Sequence, residues 1–402
     1  MFFISIGSIS IGIMYGIVNM ILIPFLSQIF SSTEIPGILI SSGMIIASFF
    51  SPFIGNWSDR IKKRMPFISF IVLFSVAGAL LLLLENIYLN ALGAIIIVIS
   101  AYSMLTPYSS LVADYTTENK RGIAFGLVMG TVNTASFIAS LIINYFYNLG
   151  SKITLLVLMG ISLISFASLT VFTLRNKPKN REEISHEKNK TTGIISLLKN
   201  YPLLLLFFGI QFFSWFSLGG LFPYITSFLT DETNMTIGNA SVWFGASTLF
   251  SALVAYATGF ITRFFKRNTL FFISLVSLTV VLGIYSQFYS GLIKNDPSIV
   301  IGIISFFVIS VSLGFFYSLS STILSLFVSN DVQGKVFGLN NIFMILSQAI
   351  SVGLVGGIIK HFGYQAMVTL GFIGFLIATV FTFSLFTLVG KKEKKMIGEK
   401  TN

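Results

Sequence analysis

Long apolar runs separated by short polar breaks make up most of this chain. About 20 apolar residues cross the hydrocarbon core of a bilayer as a helix, and twelve runs reach that length. The runs are continuously apolar and lack the alternation of a β-barrel strand. The pattern therefore predicts an all-α membrane protein with 12 transmembrane helices. The predicted spans are 2–26, 36–57, 66–85, 89–113, 121–146, 153–174, 201–229, 238–262, 268–290, 297–327, 335–359 and 364–389.

A charged hydrophilic stretch at 175–200 divides the twelve runs into two groups of six. The groups repeat short patterns in the same order: 23–25 reads IPF and 222–224 reads FPY, while 121–127 reads RGIAFGL and 333–339 reads QGKVFGL. Such repeats are typical of duplicated transporter halves. We therefore expect two pseudo-symmetric six-helix bundles. The expected division is an N-terminal bundle at 1–174, a cytoplasmic linker at 175–200, a C-terminal bundle at 201–390 and a cytoplasmic tail at 391–402.

Composition and charge place the chain in a membrane and orient it there. Hydrophobic residues make up 54% of the chain and charged residues 10%, more apolar surface than one soluble core can bury. With the N-terminus inside, 22 of the 25 Lys and Arg residues fall in inside loops, the linker or the tail. The positive-inside rule then predicts a multi-pass cell-membrane protein whose N- and C-termini are both cytoplasmic. This distribution explains the net charge of +11 without a nucleic-acid partner.

The connection after the second run reads GNWSDRIKKR at 55–64. It resembles the signature of the major facilitator superfamily, G-x-L-x-D-R-x-G-R-(R/K), although Trp57 replaces the usual Leu and Lys62 the second Gly. A carboxylate among these cations can form contacts in one conformation and lose them in another. Arg60 and Arg121 are the expected partners of Asp59. The candidate gating residues are Gly55, Asp59, Arg60, Lys63, Arg64, Asp114 and Arg121.

The first 130 residues carry a finer resemblance. SDR at 58–60 followed by RMPF at 64–67, and LVAD at 111–114 followed by KRG at 120–122, resemble the sucrose-transporter and glycoside–cation symporter branches. The superfamily resemblance implies a rocker-switch mechanism, in which two rocking halves expose one central site to each side in turn. It also implies that helices 1, 4, 7 and 10 line the cavity.

Polar residues near the middle of the predicted helices are candidate substrate ligands, because an unpartnered polar group facing lipid is costly. The candidates are Tyr15, Asn19, Tyr102, Thr106, Gln211, Trp215, Tyr317 and Ser321, with Asn133, Asn340, Asn341 and Gln348 as a second rank. Tyr102 and Tyr317 are related by the repeat, so we expect them to face each other across the cavity. On the first helix, Ser8, Gly12 and Gly16 recur every four residues, a spacing that permits close helix packing.

These features predict a monomeric secondary transporter, without enzymatic activity, for a small solute. Aromatic rings and neutral amides favour a neutral sugar or glycoside. A multidrug or metabolite exporter of the same superfamily, and a transporter-like sensor or structural membrane protein without flux, stay open as alternatives. The central spans lack ionisable residues and the chain lacks cysteine, so we expect neither a cofactor nor a metal. A coupling cation, proton or sodium, would have to act through Asp59 or Asp114.

Overall fold

The computed structural model describes residues 2–61, 63–116, 118–175, 201–288, 299–327 and 333–400. Regular structure within these residues is helical, and eleven helices are long and apolar enough to cross a membrane. The last of the eleven, Val336–Val389, contains 54 residues and comprises two spans. The predicted all-α fold with twelve crossings is thus confirmed for the described chain, while the expected linker lies outside the described residues except for its first residue.

The first half contains six spans. They are α1 (Phe3–Phe30), α2 (Glu34–Ile61), α3 (Met65–Leu82), α4 (Ile87–Ser103 and Leu105–Asp114), α5 (Glu118–Phe146) and α6 (Ser151–Arg175). The second half begins with α7 (Leu203–Leu221 and Ile225–Thr233), α8 (Ile237–Ile261), α9 (Arg267–Gln287) and α10 (Ile299–Leu326). The helix Gln333–Lys400 completes it and divides into α11 (333–362) and α12 (364–400).

Gly363 is the point at which α11 turns back into α12. The apolar stretch Val336–Val389 contains 54 residues, and as one straight helix it would be about 80 Å long, more than twice the thickness of a bilayer core. Gly363 has φ 74° and ψ 179°, a conformation that a residue with a Cβ rarely adopts. The sequence analysis placed a short loop at 360–363, whereas the structure makes the reversal almost entirely at one glycine.

Close packing of α1 against α5 confirms the prediction made from small residues. A Cβ on Gly16 would lie 2.7 Å from the Cβ of Ala139, and one on Gly12 would overlap the backbone of Val132. The Ser136 hydroxyl also donates to the Gly12 carbonyl at 2.9 Å. The segment of α1 that precedes Ile17 is therefore fixed against α5 by both shape and hydrogen bonding.

The two halves meet along two helix pairs, α2 with α11 and α5 with α8. We call the end of the bundle at which α1 begins and α12 ends the terminal face, and the end that carries Gly363 the opposite face. At the opposite face Lys360 Nζ lies 2.8 Å from Glu34 Oε2, and the Tyr224 hydroxyl donates to the Thr33 carbonyl at 3.3 Å. These contacts join the halves at that face.

Several glycines near the terminal face have no close neighbour. A Cβ on Gly126 of α5, Gly259 of α8 or Gly338 of α11 would meet no atom within 4 Å outside its own local backbone, and all three residues are exposed. At the opposite face, by contrast, a Cβ on Gly356 would lie 2.5 Å from the Tyr224 hydroxyl. Gly356 therefore lies in a close contact between the halves.

Candidate functional site

Three of the four helices that carry the predicted site are interrupted next to a proline. In α1 a π-helix spans Ile17–Ile21 before Pro24, and α7 breaks between Leu221 and Ile225, around Pro223. In α4 the ladder of hydrogen bonds lacks the amide of Pro107, although Met104 keeps helical φ and ψ angles. Proline cannot donate the helical hydrogen bond, and its ring clashes with the carbonyl four residues earlier. Interrupted helices at corresponding positions of two repeats mark the binding region in many transporters, because they free backbone groups and redirect side chains.

Two tyrosines from the first half meet at the centre of the bundle. The rings of Tyr15 on α1 and Tyr102 on α4 lie edge to face, with centroids 5.4 Å apart and planes at 82°. The Tyr102 hydroxyl lies 3.4 Å from Oε1 of Gln348 on α11, a long hydrogen bond that joins the halves. The expectation that Tyr102 and Tyr317 of α10 face each other across the cavity stays a prediction.

The second half supplies a hydrogen-bonded aromatic cluster. The Trp215 indole donates from Nε1 to Oε1 of Gln211 at 3.1 Å, and Nε2 of Gln211 donates to the Ser320 hydroxyl at 3.2 Å. The rings of Trp215 and Tyr317 stack, with centroids 5.6 Å apart and planes at 24°. Gln211 is fully buried, so this network fixes its amide and orients the indole.

We call the residues of these two groups the aromatic cluster. Its members are Tyr15, Tyr102, Gln211, Trp215, Tyr317, Ser320 and Gln348. Five of the eight first-rank candidates thus belong to one or other of these two groups. Gln348 was only a second-rank candidate, and Ser320 was missed. Residues three apart also lie on one helix face, so the spacing from Tyr317 to Ser320 could have identified Ser320.

The other three first-rank candidates are not members of the aromatic cluster. The Thr106 hydroxyl hydrogen-bonds to Ser51 on α2 instead of joining Tyr102. Ser321 is exposed, whereas the hydroxyl of the preceding residue, Ser320, accepts the hydrogen bond from Gln211. Asn19 donates its side-chain amide to the carbonyl of Tyr15 at 2.9 Å. For Thr106 the reason is the packing of α4 on α2, which brings its hydroxyl within hydrogen-bond distance of Ser51.

A second polar site lies at the terminal face of the first half. Arg64, in the connection between α2 and α3, places Nε 3.2 Å from Oδ2 of Asp114 at the end of α4. Its Nη1 donates to the Ser58 hydroxyl of α2 at 2.8 Å. The Arg64 and Asp114 side chains are each 13% exposed, so water screens this ion pair weakly. The pair therefore links the ends of α2, α3 and α4.

The remaining gating candidates fall into two groups. Arg60 and Lys63 are exposed, and Gly55 packs against the Thr106 methyl group. The side chains of Asp59 and Arg121 lie outside the described part of the structure, so their expected pairing stays a prediction. The described partner of Asp114 is Arg64, which the sequence analysis named as a candidate without pairing it.

Curated proteins similar to this chain are drug-resistance proteins. Multidrug resistance protein 1 of Bacillus subtilis (strain 168) is 20% identical over 346 residues, 86% of this chain and 85% of that protein. Tetracycline resistance protein, class D, of Salmonella ordonez is 27% identical over 266 residues, 63% of this chain and 64% of that protein. These relatives give no support to the sucrose and glycoside branches that the first 130 residues resemble.

Solved structures with a similar fold include two of a bacterial homolog of the human lysosomal transporter Spinster. Its inward-facing unoccupied form matches with a TM-score of 0.69 at 14% identity, and its inward-facing occupied form with 0.68 at 12%. Each match covers 96% of this chain and 95% of the other. At such low identity the likeness establishes the fold alone.

The sequence itself matches a family model along nearly its whole length. The model described as Major Facilitator Superfamily matches residues 4–286 and again residues 207–401. The second match begins close to the start of α7, where the second half of the fold begins. Together with the twelve-span fold, these matches show that the chain belongs to the Major Facilitator Superfamily of membrane transporters.

Proposed function

We propose that this transporter exports an amphipathic compound of low net charge, which binds among the rings of the aromatic cluster. The observation that carries the proposal is that each half contributes a pair of rings beside a neutral amide. Tyr15 pairs with Tyr102 in the first half, and Trp215 pairs with Tyr317 in the second. Flat ring faces contribute apolar contact area, and a few polar groups orient the ligand. A substrate of multiple or concentrated charge would require a counter-ion that the cluster does not provide, whereas a single delocalised positive charge can lie against the ring faces.

The hydrogen-bonding state of the amides favours an amphipathic compound over a sugar. Both polar atoms of the Gln211 side chain are engaged, by Trp215 and Ser320. Gln348 accepts from Tyr102 and donates to the Met344 carbonyl at 3.3 Å. Each amide keeps one further N–H and one further lone pair, which are few groups for the many hydroxyls of a sugar. The names of the curated relatives, a multidrug and a tetracycline resistance protein, support the same choice.

A neutral sugar or glycoside remains the second candidate. It is favoured by the tyrosine hydroxyls in the cluster, since Tyr15, Tyr102 and Tyr317 each offer a ring face beside a polar group. Rings of this kind stack on the apolar faces of sugars. The two candidates differ in what the site must supply, stacking area or free hydrogen-bonding groups, and a transport assay separates them.

Counterflow in proteoliposomes tests the function directly. We expect the protein to accelerate exchange of tetracycline or ethidium at least fivefold over protein-free liposomes, and to leave sucrose exchange unchanged. Imposed pH and sodium gradients, applied separately, identify the coupling cation. Exchange of sucrose alone would establish the second candidate instead. Binding of these compounds without any flux would contradict both candidates and leave a sensor role.

The alternating-access cycle gives the two faces of the bundle different roles. We propose that the terminal face is cytoplasmic and that the structure represents a state open towards it, because the halves are joined at the opposite face by Glu34–Lys360 and Tyr224–Thr33. The positive-inside distribution of Lys and Arg supports the same orientation. Transport then requires the opposite face to open and the terminal face to close.

Topology mapping checks this orientation. We expect tags inserted at residue 190 and after residue 402 to be accessible only from the cytoplasm, since 22 of the 25 Lys and Arg residues belong to that side in the predicted topology. A tag in the connection between α7 and α8, at Asn234, serves as the external control. Labelling of residue 190 or residue 402 in intact cells would contradict the orientation.

A further inference from the structure

A π-turn interrupts α1 close to the aromatic cluster. The π-helix spans Ile17–Ile21, and the amide of Leu22 donates to the carbonyl of Ile17, five residues earlier instead of four. Pro24 follows within the next turn and has no amide proton to donate. A π-turn adds one residue to the helix, which rotates the chain beyond it by about 100° relative to an uninterrupted α-helix.

The parts of α1 on either side of the π-turn differ in some of their neighbours. Before it, Gly12 and Gly16 fix the helix against α5, and Ser136 donates to the Gly12 carbonyl. Beyond it, Leu22–Phe30 contacts the outer segment of α7, Ile225–Thr233, which also touches the π-helix itself. Loss of the extra residue from the turn would therefore misalign α1 with α5 or with α7.

Asn19 lies inside the π-helix and bonds to the residue that enters the cluster. Its side-chain amide donates to the Tyr15 carbonyl at 2.9 Å, while the Tyr15 ring meets Tyr102 edge to face. We propose that Asn19 is a positioning residue: its amide stabilises the π-turn that presents Tyr15 to Tyr102, and it thereby sets which compounds the site accepts. The specificity role rests on the proposed transport function of the aromatic cluster.

Two simpler roles compete with this one. Asn19 could contact the substrate directly, or its hydrogen bond could be an ordinary stabilising contact without effect on the site. Bonds from a side chain to the carbonyl four residues earlier do occur elsewhere in this protein, as in Thr131 to Leu127 at 2.8 Å. That bond, however, lies in the uninterrupted helix α5, whereas the bond of Asn19 starts within a π-turn, four residues beyond a ring of the cluster.

Two substitutions at Asn19 distinguish these roles. Asn19→Leu keeps the size of the side chain but removes the donor, whereas Asn19→Thr keeps a hydroxyl that can donate to the same carbonyl, as Thr131 does. With tetracycline and ethidium as probes, we expect Asn19→Leu to raise KM about fivefold, the effect of one lost hydrogen bond. The maximal rate should stay within about twofold, and Asn19→Thr should restore KM.

A double substitution tests whether Asn19 acts through Tyr15. In a Tyr15→Leu background, Asn19→Leu should change KM no further, because the ring that Asn19 positions is already absent. Additive losses without rescue by threonine would show direct substrate contact. A lower melting temperature with unchanged KM and unchanged preference between the two probes would show a purely structural role. Either result overturns the proposal.

Hydrogen exchange of the backbone supplies a readout that needs no substrate. We expect the amides at 15–22 to exchange about fivefold faster in Asn19→Leu than in the wild type, and at the wild-type rate in Asn19→Thr. Equal exchange in all three proteins would overturn the positioning role, whether or not transport is observed. The expected exchange pattern without flux of any probe would instead overturn the transport function, and with it the specificity role.

Discussion

Asp114→Asn is expected to slow transport at least tenfold while changing substrate affinity by no more than about twofold. The carboxylate of Asp114 pairs with Arg64 at 3.2 Å, and both side chains are only 13% exposed. Removing one partner of a buried ion pair costs about 3–5 kcal/mol, and partial exposure here reduces that to about 2 kcal/mol. Because Arg64 also bonds to Ser58, the loss loosens the ends of three helices together.

The site of this substitution explains why rate and affinity should respond differently. The Arg64–Asp114 pair lies at the terminal face, whereas the aromatic cluster lies in the middle of the bundle. Loss of the ion pair changes the free energy of the state open to the terminal face relative to the state open to the opposite face. A change of about 2 kcal/mol alters the ratio of two such states roughly thirtyfold. The contacts of the binding site itself stay unchanged.

Three further variants of this protein complete the test of the ion pair. Glu85→Gln is the matched control, because it removes a carboxylate that pairs with Lys152 at 3.6 Å but is 93% exposed. We expect it to leave transport and melting temperature unchanged. Arg64→Gln should resemble Asp114→Asn, and the double variant should recover part of the lost melting temperature. A rate unchanged in Asp114→Asn, or an equal loss of affinity and rate, would contradict the gating role.

The sequence predicted the crossings well because lipid imposes a simple requirement. A span must be apolar along its whole length, so the runs that became α2 and α9 could be recognised from composition alone. Their ends were less certain: α2 begins at Glu34 and not at 36, and α7 is divided into Leu203–Leu221 and Ile225–Thr233 where one run was predicted. Hydropathy contains no information on such breaks.

Side-chain partners were harder to predict than helices, because spacing along one helix does not determine which neighbouring helix lies against a given residue. Spacing placed Thr106 with Tyr102, but the Thr106 hydroxyl bonds to Ser51 of α2 instead. The spacing from Gln211 to Trp215 also predicted a shared face, and these two side chains do form a hydrogen bond. Periodicity thus predicts which residues share a helix face, but not the partner that each side chain takes.

Gln348 shows a second limit of the sequence analysis. It lies on α11, outside the four helices that the family resemblance assigns to the cavity, yet its Oε1 faces Tyr102 from the other half. Its backbone packs against Gly219 of α7, where a Cβ would lie 2.5 Å from the Cα of Gln348. This close approach depends on tertiary packing of α7 on α11, which no pattern along one helix can encode.

Trp215→Leu is expected to weaken binding of the transported compound at least tenfold. The indole stacks on Tyr317 with centroids 5.6 Å apart and donates to Gln211 at 3.1 Å, so it contributes a ring face and also fixes the amide that lies beside it. Leucine retains the apolar character of the side chain but loses the flat surface and the donor. Loss of stacking and of one hydrogen bond together corresponds to about 1.5–2.5 kcal/mol, or roughly ten- to sixtyfold in Kd.

Trp243→Leu provides the matched control for this prediction. Trp243 lies on α8, is 41% exposed and meets Phe306 edge to face, outside the aromatic cluster. The same chemical change there should leave Kd within about twofold and affect only stability. Equilibrium binding of tetracycline and ethidium to both purified variants, with melting temperatures measured in parallel, compares the two sites. Equal Kd values for Trp215→Leu and Trp243→Leu would remove Trp215 from the substrate site and, with it, the second-half ring pair on which the proposed function depends.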